Sequence, residues 1–256
     1  MADWNAAQYL KFQAERTQPA IDLANRVALE NPADILDIGC GPGNSTRVLQ
    51  RRFPRARILG IDSSPAMVEA AQAACPDLSF RLCDAGRELG RLGQKFDLVF
   101  SNACLQWVPD HAALLTAMMA LLKENGVLAV QIPMNYEEPI HRIIGALAAS
   151  ARWKGKLQHP RVFYTLSQEQ YFDLLAGLSR EFTLWQTTYF HRMKSHADII
   201  EWYRGTGLRP YLEALDGADR MEFEREVYTE VSRAYPQQAN GEIIFRFPRF
   251  FFTAVK

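Results

Sequence analysis

Residues 35–46 read Ile35-Leu36-Asp37-Ile38-Gly39-Cys40-Gly41-Pro42-Gly43-Asn44-Ser45-Thr46. The apolar, β-branched run Ile35–Ile38, stopped abruptly by glycine, reads as a buried parallel strand. Gly39, Gly41 and Gly43 alternate after it, and glycine lets a backbone turn sharply and approach a ligand closely. Asn44, Ser45 or Thr46 is placed to cap the helix that follows, whose apolar positions include Val48, Leu49 and Phe53. Strand, glycine turn and helix start form the first unit of a nucleotide-binding α/β fold.

Four more strands follow: Ile58–Asp62, Phe80–Asp84, Phe96–Asn102 and Val127–Gln131. Helical stretches separate them, one opening at Ser63-Ser64-Pro65 and one running from about His111 to Leu122. Alternating strands and helices predict a doubly wound, mostly parallel sheet with right-handed crossovers. Ahead of it, residues 3–30 fit two short helices, with Pro19 near the start of the second. They serve either as a core-packing pair or as an aromatic flap. After Pro133 the character changes. Phe182–Tyr189 reads as a strand, residues 196–235 as helical, and Phe250–Val255 as a closing strand with Pro248 at or before its start.

The chain has 256 residues, 48% hydrophobic and 23% charged, with a formal net charge of +0. That composition is of an ordinary soluble globular protein and gives no general reason to bind nucleic acid or anionic membrane. The cysteines Cys40, Cys75, Cys83 and Cys104 show no metal-like spacing, so reduced thiols and no metal are expected. No signal pattern or membrane-length apolar run is present, which reads as cytoplasmic. From Arg142 to Arg161 there is no acid, while Arg142, Arg152, Lys154, Lys156 and Arg161 are present. This is either a solvated basic face or a patch for a partner.

A dinucleotide fingerprint needs a small residue three positions after the second glycine, and Asn44 stands there instead. The order is acid-x-G-x-G-x-G, with Asp62 following Gly43 by 19 residues and Asp84 ending the next strand. At the carboxyl end of a parallel strand a side chain projects into the crevice where open α/β sheets bind ligands. Asp62 is placed to accept from ribose hydroxyls, and Asp84 from an adenine amino group. Asp37 either neutralises an ammonium or holds the turn. The plain alternative for Asp62 and Asp84 is a cap on the next helix.

With these residues the chain resembles the class I S-adenosylmethionine-dependent methyltransferases. The resemblance implies a seven-stranded Rossmann-like sheet with an antiparallel last strand, and S-adenosylmethionine as cofactor. It places the backbone of Gly39, Cys40 and Gly41 at the methionine part and Asp62 at the ribose, with Asp37 beside them among the cofactor-binding candidates. Ser63 and Met67 would flank the adenosine, Asp84-Ala85 meet the adenine, and Asn102, Ala103, Gln106 and Trp107 line the floor. A single domain is expected, with a flap at 1–30, a cofactor core at 31–133, substrate-side insertions at 134–240 and a closing strand at 241–256.

A narrower resemblance is carried by Asp3-Trp4-Asn5, Tyr9-Leu10, Ala14-Glu15-Arg16, Gly60–Met67, Leu105-Gln106-Trp107, Thr206–Pro210 and Phe247-Pro248-Arg249. These are similar to the trans-aconitate 2-methyltransferase family, which esterifies a carboxylate of a small tricarboxylic acid. The likeness implies that Trp4, Tyr9 and Arg16 cover the cofactor. A carboxylate with pKa near ~4 is already ionised at neutral pH, so positioning suffices and no catalytic base is expected. The acid needs cationic anchors, and the candidates are Arg209, Arg249, Arg246 and His191, with Tyr189 as a neutral donor. Their structural alternative is pairing with Glu242 or Glu213. His111 reads as part of a helix start and His196 as a surface residue. Competing functions are esterification of a carrier-bound malonyl group, non-catalytic cofactor binding and dinucleotide-dependent dehydrogenation.

Overall fold

The computed structural model describes residues 13–157 and 163–256. Its strands are β1 (Asp34–Ile38), β2 (Arg57–Asp62), β3 (Ser79–Leu82), β4 (Phe96–Asn102), β5 (Leu122–Pro133), β6 (Glu181–Met193) and β7 (Ile243–Val255). They form one seven-stranded sheet in the order β3-β2-β1-β4-β5-β7-β6. β1 to β5 pair in parallel. β7 runs antiparallel to β5, from Val127 opposite Val255 to Pro133 opposite Arg249. Ile35, Leu36 and Ile38 of β1 are fully buried, as expected of a strand covered on both faces. The chain steps outward from β1 to β3 and then returns to β4. That reversal opens the crevice where α/β sheets take ligands.

The helices are α1 (Gln13–Arg26), α2 (Asn44–Arg52), α3 (Pro65–Ala74), α4 (His111–Ala120), α5 (Pro139–Ala149), α6 (Gln168–Leu178), α7 (His196–Arg204), α8 (Arg209–Ala214) and α9 (Gly217–Ala234). Several boundaries differ from the sequence reading. Pro19 lies inside α1 rather than at a helix start. Burial of Ala20, Leu23 and Ala24 outweighs the lost backbone bond. Asn125 and Gly126 do not precede β5 but sit within it. The ladder slips there, from Phe96 opposite Leu122 to Leu98 opposite Val127, and Asn125 adopts φ +60°. β7 begins at Ile243 and passes through Pro248. There the pairing with β5 ends, and the Pro248 carbonyl accepts from the Met134 N–H at 3.0 Å. The helical stretch 196–235 is three helices. Ser195 opens α7 with a capping box to Asp198, and Asp216 caps α9.

The chain divides into two compact units, one comprising residues up to 133, 163–187 and 249–256, the other 134–162 and 188–248. In the second, three cations of the acid-free stretch meet acids. Arg142 pairs with Glu137, Arg152 with Glu222 and Glu226, and Lys156 with Asp219. Three of these four acids come from α9. The fully buried Trp153 anchors the same contact, donating from Nε1 to Glu226 at 2.7 Å and meeting Phe223 edge-on at 5.2 Å. Trp153→Ala removes the aromatic volume and leaves Glu226 one donor short. We expect it to lower stability by about 3–5 kcal/mol, read as a drop in Tm, whereas Lys156→Ala on the exposed rim changes it by less than about 1 kcal/mol.

Candidate active site

The glycine turn is held to the end of β2. Gly39 and Cys40 both donate to the Ile61 carbonyl, at 2.8 and 3.0 Å. Gly41 donates to Asp62 Oδ2 at 2.9 Å, and the other Asp62 oxygen accepts from Ser64 N–H at 2.9 Å. Asp62 is therefore not the helix cap. Ser64 is, accepting from Met67 N–H at 3.2 Å. Gly39 has φ +71°, and a Cβ there would stand 2.3 Å from both Cβ and Sγ of Cys104. The turn and the segment after β4 thus fit only because that side chain is missing.

None of Asn44, Ser45 and Thr46 caps α2, whose N-cap is Gly43 with no side-chain bond. Ser45 and Thr46 instead donate their hydroxyls to Asp37 Oδ2, each at 2.7 Å. Asp37 Oδ1 is buried with no hydrogen-bond partner among the described residues. Burial, partly offset by the two hydroxyls, pushes this carboxyl up to about 6. Burial first, and the Asp62 and Asp37 charges next, push the Cys104 thiol up to about 12, and burial raises Cys40 likewise. Both thiols stay protonated at neutral pH.

Asp84 ties its own turn, accepting from Gly86 N–H at 2.8 Å, and its side chain is 44% exposed. Ala85 is half-buried, Met67 buried and Ser63 exposed. Beyond β4, Ala103 adopts φ +56° and donates to the Gln131 carbonyl at 2.9 Å. Gln106 Nε2 donates to the Ala103 carbonyl at 2.7 Å, and Trp107 packs on Phe163 at 5.0 Å. The Asn102 and Gln106 side-chain oxygens are buried and unpartnered among the described residues. Arg16 of α1 is 7% exposed; Trp4 and Tyr9 lie outside the described residues.

The proposed acid-binding residues divide between the units. In the first, Arg249 is 3% exposed and donates from Nη1 to Gln131 Oε1 at 3.1 Å, not to Glu242 or Glu213. In the second, Arg209 takes Glu213 at 2.6 Å. Glu242 takes Arg192, and Arg246, mostly exposed, meets Glu138 at 3.5 Å. His191 is buried against Trp202 at 4.9 Å and Phe247 at 5.9 Å, with Tyr189 parallel to it at 6.3 Å. His196 is half-buried, its Nε2 bonded to the Tyr235 carbonyl at 2.8 Å, rather than a plain surface residue.

His111 does more than begin α4. It is 2% exposed, with Nε2 at 2.8 Å from the Leu105 carbonyl and Nδ1 at 2.5 Å from the Tyr171 hydroxyl. A carbonyl only accepts, so Nε2 carries the proton and Tyr171 donates to Nδ1. Burial lowers the His111 pKa, in keeping with this neutral form. Tyr171 also packs on Phe250 and Phe252, both at 5.6 Å. The pair ties the 3-10 turn Leu105–Trp107, which carries Gln106 and Trp107, to α6 and β7. Sixty residues separate the partners, and no local pattern could have joined them.

Two outcomes follow. Tyr171→Phe leaves His111 Nδ1 unpaired, and we expect a stability loss of about 1–3 kcal/mol by thermal melt. Asp37 has a carboxyl raised above its unfolded value near ~3.9. Its contribution is therefore fully stabilising below about pH 4 and is lost as pH rises through about 6. Asp37→Asn should gain roughly 2–3 kcal/mol relative to the parent between pH 4 and pH 7.5, read from Tm against pH; a constant difference across that range would contradict the assignment.

Residues 35–126 match the family described as a methyltransferase domain. A trans-aconitate 2-methyltransferase of Methylobacterium radiotolerans is 46% identical over 261 residues, covering 100% of this chain and 99% of that one. One of Escherichia coli is 43% identical over 254 residues, covering 99% of this chain and 98% of its own. Among solved structures, YcgJ of Bacillus subtilis superposes with a TM-score of 0.62 at 16% identity, over 93% of this chain and 98% of that one. The phosphoethanolamine N-methyltransferase 2 of Haemonchus contortus, solved with S-adenosyl-L-methionine, gives 0.55 at 17% over 93% and 52%. The structural likenesses speak for the fold, and the full-length identity for more: the chain belongs to the trans-aconitate 2-methyltransferase family.

Proposed function

We propose that the chain transfers the methyl group of S-adenosylmethionine to one carboxylate of trans-aconitate, giving a monomethyl ester. The observation that carries this reading is kinship at 43–46% identity along essentially the whole chain, through both units and not the glycine turn alone.

The residues around the turn suit this cofactor better than a dinucleotide. Asp37 and Asp62 flank the turn, and the Asn102 and Gln106 oxygens add buried acceptors. Such a surface suits a cationic, hydroxyl-bearing molecule and opposes a pyrophosphate. Asp62 accepts from Gly41 and Ser64 at the end of β2, and it is the acid we assign to the ribose hydroxyls. When bound, S-adenosylmethionine supplies an electrophilic methyl on a sulfonium, which an ionised carboxylate attacks in line.

The chain's own residues have three tasks. The acceptor is already ionised, so no side chain need take a proton; His111 is engaged by Leu105 and Tyr171. Cys40 and Cys104 stay as thiols and offer no competing nucleophile. Arg249 is the anchor we assign to a substrate carboxylate, and holding both reactants in line is worth about 7–11 kcal/mol in such reactions. We also propose Trp4, Tyr9 and Trp107 as water-excluding covers. Arg209 and Arg246 are held by Glu213 and Glu138 in the second unit. The pairing of Arg142, Arg152 and Lys156 leaves little support for a carrier protein as substrate.

The purified chain with methyl-labelled cofactor and trans-aconitate should yield a base-labile labelled ester. Label appearing on another acid or on an amine would overturn the substrate, and binding of NAD in place of S-adenosylhomocysteine would overturn the cofactor. Asp62→Ala should weaken cofactor binding at least tenfold by calorimetry, about 1.4 kcal/mol. Arg249→Ala should raise the apparent KM for the acid and leave cofactor affinity unchanged.

A further inference from the structure

The register of the sheet sets several side chains in one row. Asn102 of β4 lies opposite Gln131 of β5, and Gln131 opposite Phe251 of β7. Ile38 of β1 pairs with Ile61 and Ser101, so Gly39 continues the row between Asp62 and Asn102. Asp62, Gly39, Asn102 and Gln131 therefore share the level at which the parallel strands end. Arg249, two residues before Phe251, points to the same face of β7. With strands about 4.8 Å apart, Gln131 stands roughly 14 Å along this edge from Asp62.

Gln131 is fully buried. Its Oε1 accepts from Arg249 Nη1 at 3.1 Å, which fixes which end of the carboxamide faces the guanidinium. Nε2 then points away with both hydrogens, and no acceptor among the described residues meets it. A buried donor without an acceptor is destabilising, a cost an apolar side chain of similar length would not incur. The carboxamide orients Arg249 through a neutral acceptor and adds a donor beside it.

We propose that Gln131 is a substrate-binding residue: Nε2 and the Arg249 guanidinium together form the receptor for one carboxylate of the acid. This rests on the carboxylate-methylating function proposed above. Two adjacent donor groups, one charged, match the two oxygens of a carboxylate. A receptor of this kind discriminates by the presence of the carboxylate it binds, because its donors lose their partner when the group is missing.

The test uses the full chain with trans-aconitate and two analogues that each lack one of its carboxylates, mesaconate and glutaconate. In the parent, one analogue should fall at least tenfold below trans-aconitate in kcat/KM. Gln131→Glu, which places a carboxylate against Arg249, should raise the KM for trans-aconitate at least tenfold. Gln131→Met, which removes the donor at similar length, should shrink the discrimination against that analogue at least fivefold. In both variants S-adenosylhomocysteine affinity by calorimetry should stay within twofold of the parent. A merely structural role would lower Tm and cofactor affinity together and leave discrimination intact, and that result overturns the proposal. Should either variant not fold, the other decides alone; should neither fold, Gln131 belongs to the scaffold and the proposal fails. Failure of the parent to esterify trans-aconitate would instead strike the functional reading on which the proposal rests.

Discussion

The bond from Gly41 N–H to Asp62 sets the geometry on which the rest of the site depends. One carboxylate closes the glycine turn on one side and the start of the α3 segment on the other, through Ser64. It joins the loops after two neighbouring parallel strands, β1 and β2. The remaining tolerance is taken up by the absence of a side chain at Gly39, where Cys104 fills the space a Cβ would need. Three loops after three parallel strands are thereby locked together. Such second contacts hold a binding constellation in place before the ligand arrives.

Asp62 was legible as an acid at the end of a β-branched run, 19 residues beyond the last of three glycines, but not as the acceptor for Gly41 and Ser64. β1, β2 and β4 were legible for a similar reason, since burial writes itself as short apolar runs, whereas β3 is mostly exposed and ends at Leu82, two residues before Asp84. Asp37 was legible as an acid but not as the acceptor for Ser45 and Thr46, whose nearness to a helix start suggested caps. The extent of β5 and β7 was hidden by Asn125-Gly126 and Pro248, residues that ordinarily end elements and here sit within strands. Tertiary pairing outweighs the local preference there. His111 and Gln131 were missed because their meaning lies in partners 60 and 118 residues away. A single sequence carries no trace of such pairs.

The basic stretch after residue 142 shows the same limit from another side. Read alone, a run without acids suggests a surface for a partner. In the second unit Arg142, Arg152 and Lys156 turn to Glu137, Glu222, Glu226 and Asp219, three of these acids on α9. The partner is a helix of the same chain. Charge runs are informative about docking only when the acids of the rest of the chain are also counted.

The sheet edge in the first unit is electrostatically graded. Asp37 and Asp62 lie at the β1–β2 end, neutral amides Asn102 and Gln131 in the middle, and Arg249 on β7. A reaction between a sulfonium and a carboxylate brings together a cation and an anion that neutralise each other as they combine. Water stabilises the separated ions more than the transition state, so fixed groups that hold each ion at its own end, with little charge between, assist without stabilising either reactant too strongly. An acid at position 131 would put an anion where the anionic acceptor must come, and a lysine there would hold the acceptor back. A carboxamide does neither. On the function proposed above, the neutral middle of the row matches the charge the reaction loses, and the acids and the arginine at its ends match the charges it begins with.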